Sequence, residues 1–271
     1  MLQHYSLPDL MSAATANLVT HFTWVQRQTT DMHVENNANC VITDSGLPCD
    51  TFNAVCRAHF KPDNAREHIQ TAINYFANKQ RPFSWWLSPG DQPENLSKLL
   101  LQAGLQEDYS ELAMAADLSQ LPSGDLAPNG LQIRRVRTAA ELADFARIIS
   151  IMWTPPDPEV VNFYKLATPA ILRDDSPMWF YVGYVDGTPV VTGEATVADS
   201  VVGLYNICTL PDYRQRGYGS AMTLKPLLDA READHHMAIL QATEAGARVY
   251  KRLGFETFGA ITEYKPPAGQ I

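Results

Sequence analysis

The run Arg214-Gln215-Arg216-Gly217-Tyr218-Gly219 follows directly on the apolar stretch Leu204–Leu210. Its residue types suit anion binding. Glycine at 217 and 219 lets main chain approach a ligand where a Cβ would collide. A helix opening behind the glycines would leave its first amides without internal partners, aimed into the turn. With the helix dipole and the charge of Arg214 and Arg216, such a turn suits a phosphate or pyrophosphate. The same strand–glycine–helix junction also serves to pack a helix close on a sheet, so the turn alone leaves both uses open.

A second cluster lies downstream, Ala247-Arg248-Val249-Tyr250-Lys251-Arg252-Leu253-Gly254-Phe255. Tyr250 carries its one phenol. A phenol with a pKa of about 10 can protonate a stronger base or donate a hydrogen bond to it. A helix tyrosine otherwise packs its ring and wets its hydroxyl.

Read together, the two clusters resemble the GCN5-related N-acetyltransferase (GNAT) superfamily. In that family an Arg/Gln-x-x-Gly-x-Gly/Ala turn binds the pyrophosphate of acetyl-CoA, and a later A-x-x-Y-x-x-x-G-F helix carries a tyrosine beside the thioester. Arg214, Gly217 and Gly219 match the first, and Ala247, Tyr250, Gly254 and Phe255 the second. The resemblance covers about residues 131–271. It implies that Arg214, Gln215, Arg216, Gly217, Tyr218, Gly219 and Ser220 form the CoA turn. It further implies that the backbone of Ile207, Cys208 and Thr209 pairs with the pantetheine arm and supplies an oxyanion donor. Tyr250 would assist the departing thiolate.

Thr243 falls where the family often has a polar residue contacting CoA; its alternative is an N-cap for the next helix. Acetyl transfer also needs a neutral amine. Glu194 is the candidate base, on the strand that precedes the CoA strand in the family order; an ion-paired or solvent-facing role is the alternative. Asn206 is expected on the opposite strand face to Tyr205, able to orient substrate or water. Cys208 reads as an inert core thiol rather than a covalent nucleophile. Arg248, Lys251 and Arg252 either reach the 3′-phosphate of CoA or solvate one helix face. His235 and His236 read as surface residues, and no pattern supports a metal site.

These residues need a scaffold. After the Pro- and Gly-rich segment 121–130, alternation predicts a strand over Leu131–Val136. Helices follow at Ala139–Ile149 and Pro158–Leu166. Strands at Trp179–Val185 and Val190–Val197 flank Asp186-Gly187, a hairpin signal. Then come strand Val201–Thr209, helix Gly217–Ala233, strand Met237–Gln241, helix Ala245–Leu253 and strand Phe255–Tyr264.

The first half echoes this pattern. Phe83–Leu87, Glu94–Ala103 and Tyr109–Leu118 read as strand, helix and strand, and a helix is possible near Leu10–Val25. Ala103-Gly104-Leu105 stands in the place of Leu253-Gly254-Phe255, with Leu100 at the position of Tyr250. Phe60–Asp63 echoes Thr209–Asp212, which sets His68 and Gln70 at the two glycine positions. The expected fold is therefore α+β: a GNAT-like mixed, mostly antiparallel sheet flanked by helices, as two domains in tandem. Residues 1–120 form a degenerate copy, 121–130 a linker and 131–271 the acetyltransferase domain.

Composition sets the outer bounds. The chain has 271 residues, enough for one large or two ordinary domains, and 45% are hydrophobic. Its net charge of −9 argues against sequence-independent nucleic-acid binding. No apolar run is long enough to span a bilayer, and Met1–Tyr5 shows no secretory pattern. Cys40, Cys49, Cys56 and Cys208 lack zinc-site spacing and fit reduced thiols in a cytoplasmic protein. The expected activity is direct acetyl transfer from acetyl-CoA to a small amine or peptide acceptor, by a monomer in preference to the alternative of a dimer. Two alternatives stay open: a non-catalytic acyl-CoA-binding module, and an aminoacyl- or peptide-type transferase on the same fold.

Overall fold

The computed structural model describes residues 5–122, 128–267 and 269; positions 123–127 of the expected linker lie outside the described residues. The first half runs α1 (Leu7–Gln28), β1 (His33–Asn36), β2 (Val41–Asp44), β3 (Ala54–Cys56), α2 (Ala65–Asn78), β4 (Ser84–Leu87), α3 (Leu96–Gln102) and β5 (Gln106–Asp117). The second runs β6 (Leu131–Arg135), α4 (Ala139–Ser150), α5 (Pro158–Ile171), β7 (Met178–Val185), β8 (Thr188–Ala198), β9 (Val201–Thr209), α6 (Tyr218–Glu232), β10 (Met237–Ala242), α7 (Glu244–Arg252) and β11 (Glu256–Lys265).

The second-half order matches the expected succession element by element. Asp186 and Gly187 both take positive φ, as the predicted hairpin requires. Helix α5 continues beyond Leu166, its expected end, through Pro169 to Ile171. In the first half β1, β2, β3 and α2 went unread. With them, the same pairing occurs twice: β1–β2–β3 antiparallel with β3–β4 parallel, then β7–β8–β9 antiparallel with β9–β10 parallel.

The helix register corrects the sequence echo. Asn64 is the N-cap of α2, where Gly217 is the N-cap of α6. His68 and Gln70 therefore sit one turn inside the helix, where His68 stacks on Phe60 and Gln70 bonds Asn74. The α3 end agrees with the echo: Leu105 N–H donates to Leu100 O across Gly104, as Phe255 N–H donates to Tyr250 O across Gly254. Both glycines take the left-handed conformation that ends a helix without a Cβ penalty.

All described strands join one 11-stranded sheet, ordered β1-β2-β3-β4-β11-β5-β10-β9-β8-β7-β6. The last strand of each half pairs within the other half: β11 lies against β4, and β5 against β10. At the second-half end, α6 and α7 pack on one face through Leu224, Leu227, Ala247 and Phe255. The opposite face carries α4 and α5, together with α1.

Helix α1 starts at a Ser6–Asp9 capping box with Pro8 in its first turn. It then lies along the sheet. Leu10 and Ala14 pack on Val201, Met237 and Ile239, and Leu18 and Phe22 pack on Val41, Ala54 and Cys56. The N-terminal helix thus covers both halves.

Candidate active site

Strands β9 and β10 pair in parallel from Val201↔Met237 to Leu204↔Leu240, and no further. Beyond that point β9 stays bonded to β8 as far as Thr209, and β10 to β5 as far as Ala242. The two strands part between them. A bulge between Thr192/Glu194 of β8 and the facing stretch of β9, with Asn206 at φ +54°, redirects β9 there. The main chain of Ile207, Cys208 and Thr209 thereby presents an unpaired edge to the gap.

A cavity of about 850 Å³ fills this gap and passes through the sheet. On the α7 side it is lined by Thr243, Gly246 and Tyr250, and on the α1/α5 side by His21, Tyr164, Glu194 and Asn206. Trp86, Tyr109 and Glu111 of the first half also line it.

The glycine turn lies where β9 leads into α6. Gly217 is the N-cap residue at φ +81°, so no side chain caps the helix. The first internal bond is Ala221 N–H to Gly217 O, which leaves the amides of Tyr218, Gly219 and Ser220 without helical acceptors. A Cβ at Gly219 would make only an ordinary 3.5 Å contact with Thr209 Oγ1, so internal packing does not demand glycine there. Gly217 is held to glycine by its backbone conformation, and a Cβ would also meet Pro128 at 3.2 Å.

The two arginines do more than add charge. Arg214 Nε donates to Thr209 O at 3.1 Å and Arg216 Nη2 to Asp212 O at 2.9 Å, bracing the turn while both side chains stay exposed. Gln215 takes φ +60° in the same bend. The Tyr218 ring is buried with Tyr181, Val191 and Met222, so only its main chain faces the turn.

Tyr250 is half-buried, and burial, followed by the neighbouring Cys208, raises its phenol to about 12. It is therefore a donor at neutral pH. Burial lifts the Cys208 thiol to about 11, which fits an inert side chain. Thr243 is the N-cap of α7, accepting Gly246 N–H at 3.1 Å, and it lines the cavity as well. Arg248, Lys251 and Arg252 are exposed along α7.

Glu194 is 1% exposed and fully engaged. Oε1 accepts from Thr196 Oγ1 at 3.0 Å and lies 2.9 Å from His21 Nδ1; Oε2 accepts from Asn206 Nδ2 at 2.9 Å. It is neither solvent-facing nor available as a free carboxylate. Asn206 does not oppose Tyr205 as expected. The positive φ at the bulge turns both onto the α1/α5 face, where Tyr205 stacks on His21 with ring centroids 3.7 Å apart.

Sequence reasoning missed His21, Asn17 and Tyr164. Asn17 is fully buried, donates to Thr196 O and Val201 O, and accepts from Tyr205 OH. The available signal was two polar residues one helical turn apart on the apolar face of α1, the pattern of a helix docked on something polar. Among the described residues no group of three or more His, Cys, Asp or Glu could hold a metal ion, and no helix is long and apolar enough to cross a membrane.

Residues 176–257 match a family model described as an acetyltransferase (GNAT) domain. The fold is similar to that of a GCN5-related N-acetyltransferase from Kribbella flavida, with a TM-score of 0.72 at 19% identity over 94% of this chain and 97% of that one. It is also similar to a GCN5-related N-acetyltransferase from Sphaerobacter thermophilus (TM-score 0.62, 14% identity, 96% and 93% covered). A tandem GNAT protein from the clavulanic acid biosynthesis pathway gives a TM-score of 0.57 at 10% identity, with 96% and 93% covered. At such identities the likeness speaks for the fold. A search of curated proteins returned no match. The parted strands and the open helix start both lie within residues 176–257, the stretch that matches the acetyltransferase (GNAT) domain model, and the fold as a whole is similar to those of GNAT proteins.

Proposed function

We propose that this chain is an acetyl-CoA-dependent N-acetyltransferase acting on a small primary amine. The observation that carries the reading is the gap between β9 and β10, with the uncapped start of α6 beside it and the buried Glu194 cluster across it. Acetyl-CoA would supply an activated acyl carbon. The amides of Tyr218, Gly219 and Ser220 would hold its pyrophosphate, with Arg214, Gln215 and Arg216 shaping the turn. The unpaired edge of Ile207, Cys208 and Thr209 would pair with its arm and donate to the carbonyl oxygen as charge develops there. Thr243 would contact the arm from the facing helix. Tyr250 would donate to the departing sulfur, and Glu194 would serve proton removal from the acceptor.

The acceptor side favours a small amine with an apolar body. Its wall includes Phe22, Phe52, Met152, Trp153 and Phe163, and α1 closes it over. A long cationic chain would find few partners along such a wall. We further read residues 1–120 as a degenerate copy of the unit at 131–271, with 121–130 as the link. The exchange of β5 and β11 buries within one chain edges that could otherwise pair with a second copy, which supports a monomer. A cytoplasmic setting fits the four unpaired cysteines.

The test is thiol release from acetyl-CoA against small aromatic and aliphatic monoamines, polyamines and peptide N-termini, with product mass measured. Saturable release with monoamines is expected. Binding of acetyl-CoA without transfer to any amine would mark a non-catalytic module. Transfer from aminoacyl-tRNA in preference to a CoA ester would mark a different donor.

A further inference from the structure

We infer that His21, carried on the N-terminal helix, is the base that takes the acceptor's proton in the site of the C-terminal half, and that Glu194 is its positioning residue. The assignment rests on the acetyl-transfer reading and deepens it.

The geometry leads there in steps. Glu194 is buried, and its two oxygens already take hydrogen bonds from Thr196 and Asn206. A carboxylate so engaged accepts only, so the 2.9 Å contact with His21 Nδ1 fixes the proton on that nitrogen. In the neutral ring the lone pair then belongs to Nε2, the arrangement by which a carboxylate sets a histidine's tautomer. The ring is held flat against Tyr205, with an interplanar angle of 8°. One turn earlier, Asn17 ties α1 to the main chain of β8 and β9. His21 is therefore fixed in orientation, lines the cavity and retains some exposure, at 17% of its side chain.

Its position relative to the sheet suits the reaction. Tyr250 lies on the α7 side of the gap and His21 on the α1 side. Amine nitrogen attacks the thioester carbon, an N–C bond forms and the C–S bond breaks. The nitrogen's surplus proton passes to His21 Nε2, and the sulfur takes the Tyr250 proton. Solvent then removes one proton from His21 and returns one to Tyr250, so the balance closes without another reactant.

Other titratable groups line the same cavity. Burial first, followed by Glu194, raises the Tyr164 and Tyr205 phenols well above their ordinary value, and burial also raises Cys208 and Tyr250. These four stay protonated near neutrality. Glu111 is raised by burial and by Glu263, and it is the rival source of an acidic limb in a pH–rate profile.

The test uses the full-length chain, an amine accepted by the wild type, and the variants His21→Phe, His21→Gln and Glu111→Gln. His21→Phe keeps a ring to stack on Tyr205 but offers no base. Both His21 variants should bind acetyl-CoA like the wild type by calorimetry and lose about 10²–10⁴-fold in kcat. The acidic limb of kcat/KM should vanish in them and persist in Glu111→Gln. In a further variant, His21→Ala, which leaves room for a free ring, exogenous imidazole should restore part of the rate. Wild-type kcat in a folded His21→Phe protein would overturn the assignment, and so would an acidic limb that disappears only in Glu111→Gln. A wild type that acetylates no amine would overturn the transfer reading itself and this assignment with it.

Discussion

Asn17 of α1 sits directly on Gly203 of β9: a Cβ built on that glycine would lie 2.0 Å from Asn17 Oδ1. The missing side chain lets Asn17 reach the Thr196 and Val201 carbonyls and accept from Tyr205 OH. One contact thus couples the docking of the N-terminal helix to the strand that forms the gap.

Gly203→Val should therefore lift α1 from the sheet. Overpacking of this kind costs about 1–3 kcal/mol, and here the Asn17 hydrogen bonds go with it. Chemical denaturation should show the loss, and turnover should fall further than acetyl-CoA affinity, because α1 lines only the acceptor side. A variant with wild-type stability and rate would show that α1 is not seated this way.

Gly219→Val is the clean test of the donor turn. Position 219 has ordinary space within the fold, so the protein should fold and lose acetyl-CoA affinity because the valine obstructs main-chain approach. Gly217→Val is less informative: φ +81° strains any branched residue, so lost binding would be mixed with lost stability. Unchanged affinity in a folded Gly219→Val protein would remove the proposed phosphate seat.

Tyr250→Phe keeps the ring that packs on Phe255 and removes the hydroxyl. Because the phenol is raised to about 12, it is protonated across the neutral range and available as a donor. Loss of the proton donor should lower kcat by about 10²–10⁴-fold with little change in KM. A change confined to KM would mark a binding tyrosine instead.

Acid stability should track Asp44 at the end of β2. Burial pushes its carboxyl up, but Gly46 N–H, Arg81, Lys79 and Tyr75 together hold it down at about 2. A carboxyl depressed on folding stabilises above its unfolded value, and that contribution is lost as pH falls through the folded one. The shift from 3.8 to about 2 corresponds to roughly 2 kcal/mol, lost between about pH 5 and pH 2. Urea midpoints over that range should fall steeply in the wild type and less steeply in Asp44→Asn. Parallel curves would show that Asp44 does not control the acid limb.

The sequence was most legible where chemistry is local. The β9–α6 turn, the α7 helix and the Asp186-Gly187 hairpin each rest on residues a few positions apart, and all three stand where expected. Strands β1, β2 and β3 are three or four residues long; β2 and β3 are buried along their whole length, so they show no alternation. The strand exchange was illegible because β5 and β11 carry the same pattern whichever half they join. His21 was missed because its partner Glu194 is 173 residues away, and no local spacing encodes that contact. The face of Asn206 was misread because alternation assumes a regular strand, and the bulge breaks it.

Amide exchange with and without acetyl-CoA tests the central claim most directly, that one donor binds per chain through the β9–β10 gap. The account predicts protection of Tyr218, Gly219 and Ser220 at the start of α6 and of Ile207–Thr209 on β9. The corresponding first-half positions, around Asn64 at the start of α2, should be unaffected, because Asn64 stands there in place of Gly217. Protection centred on the start of α2, or none at the α6 turn while acetyl-CoA is bound, would contradict it.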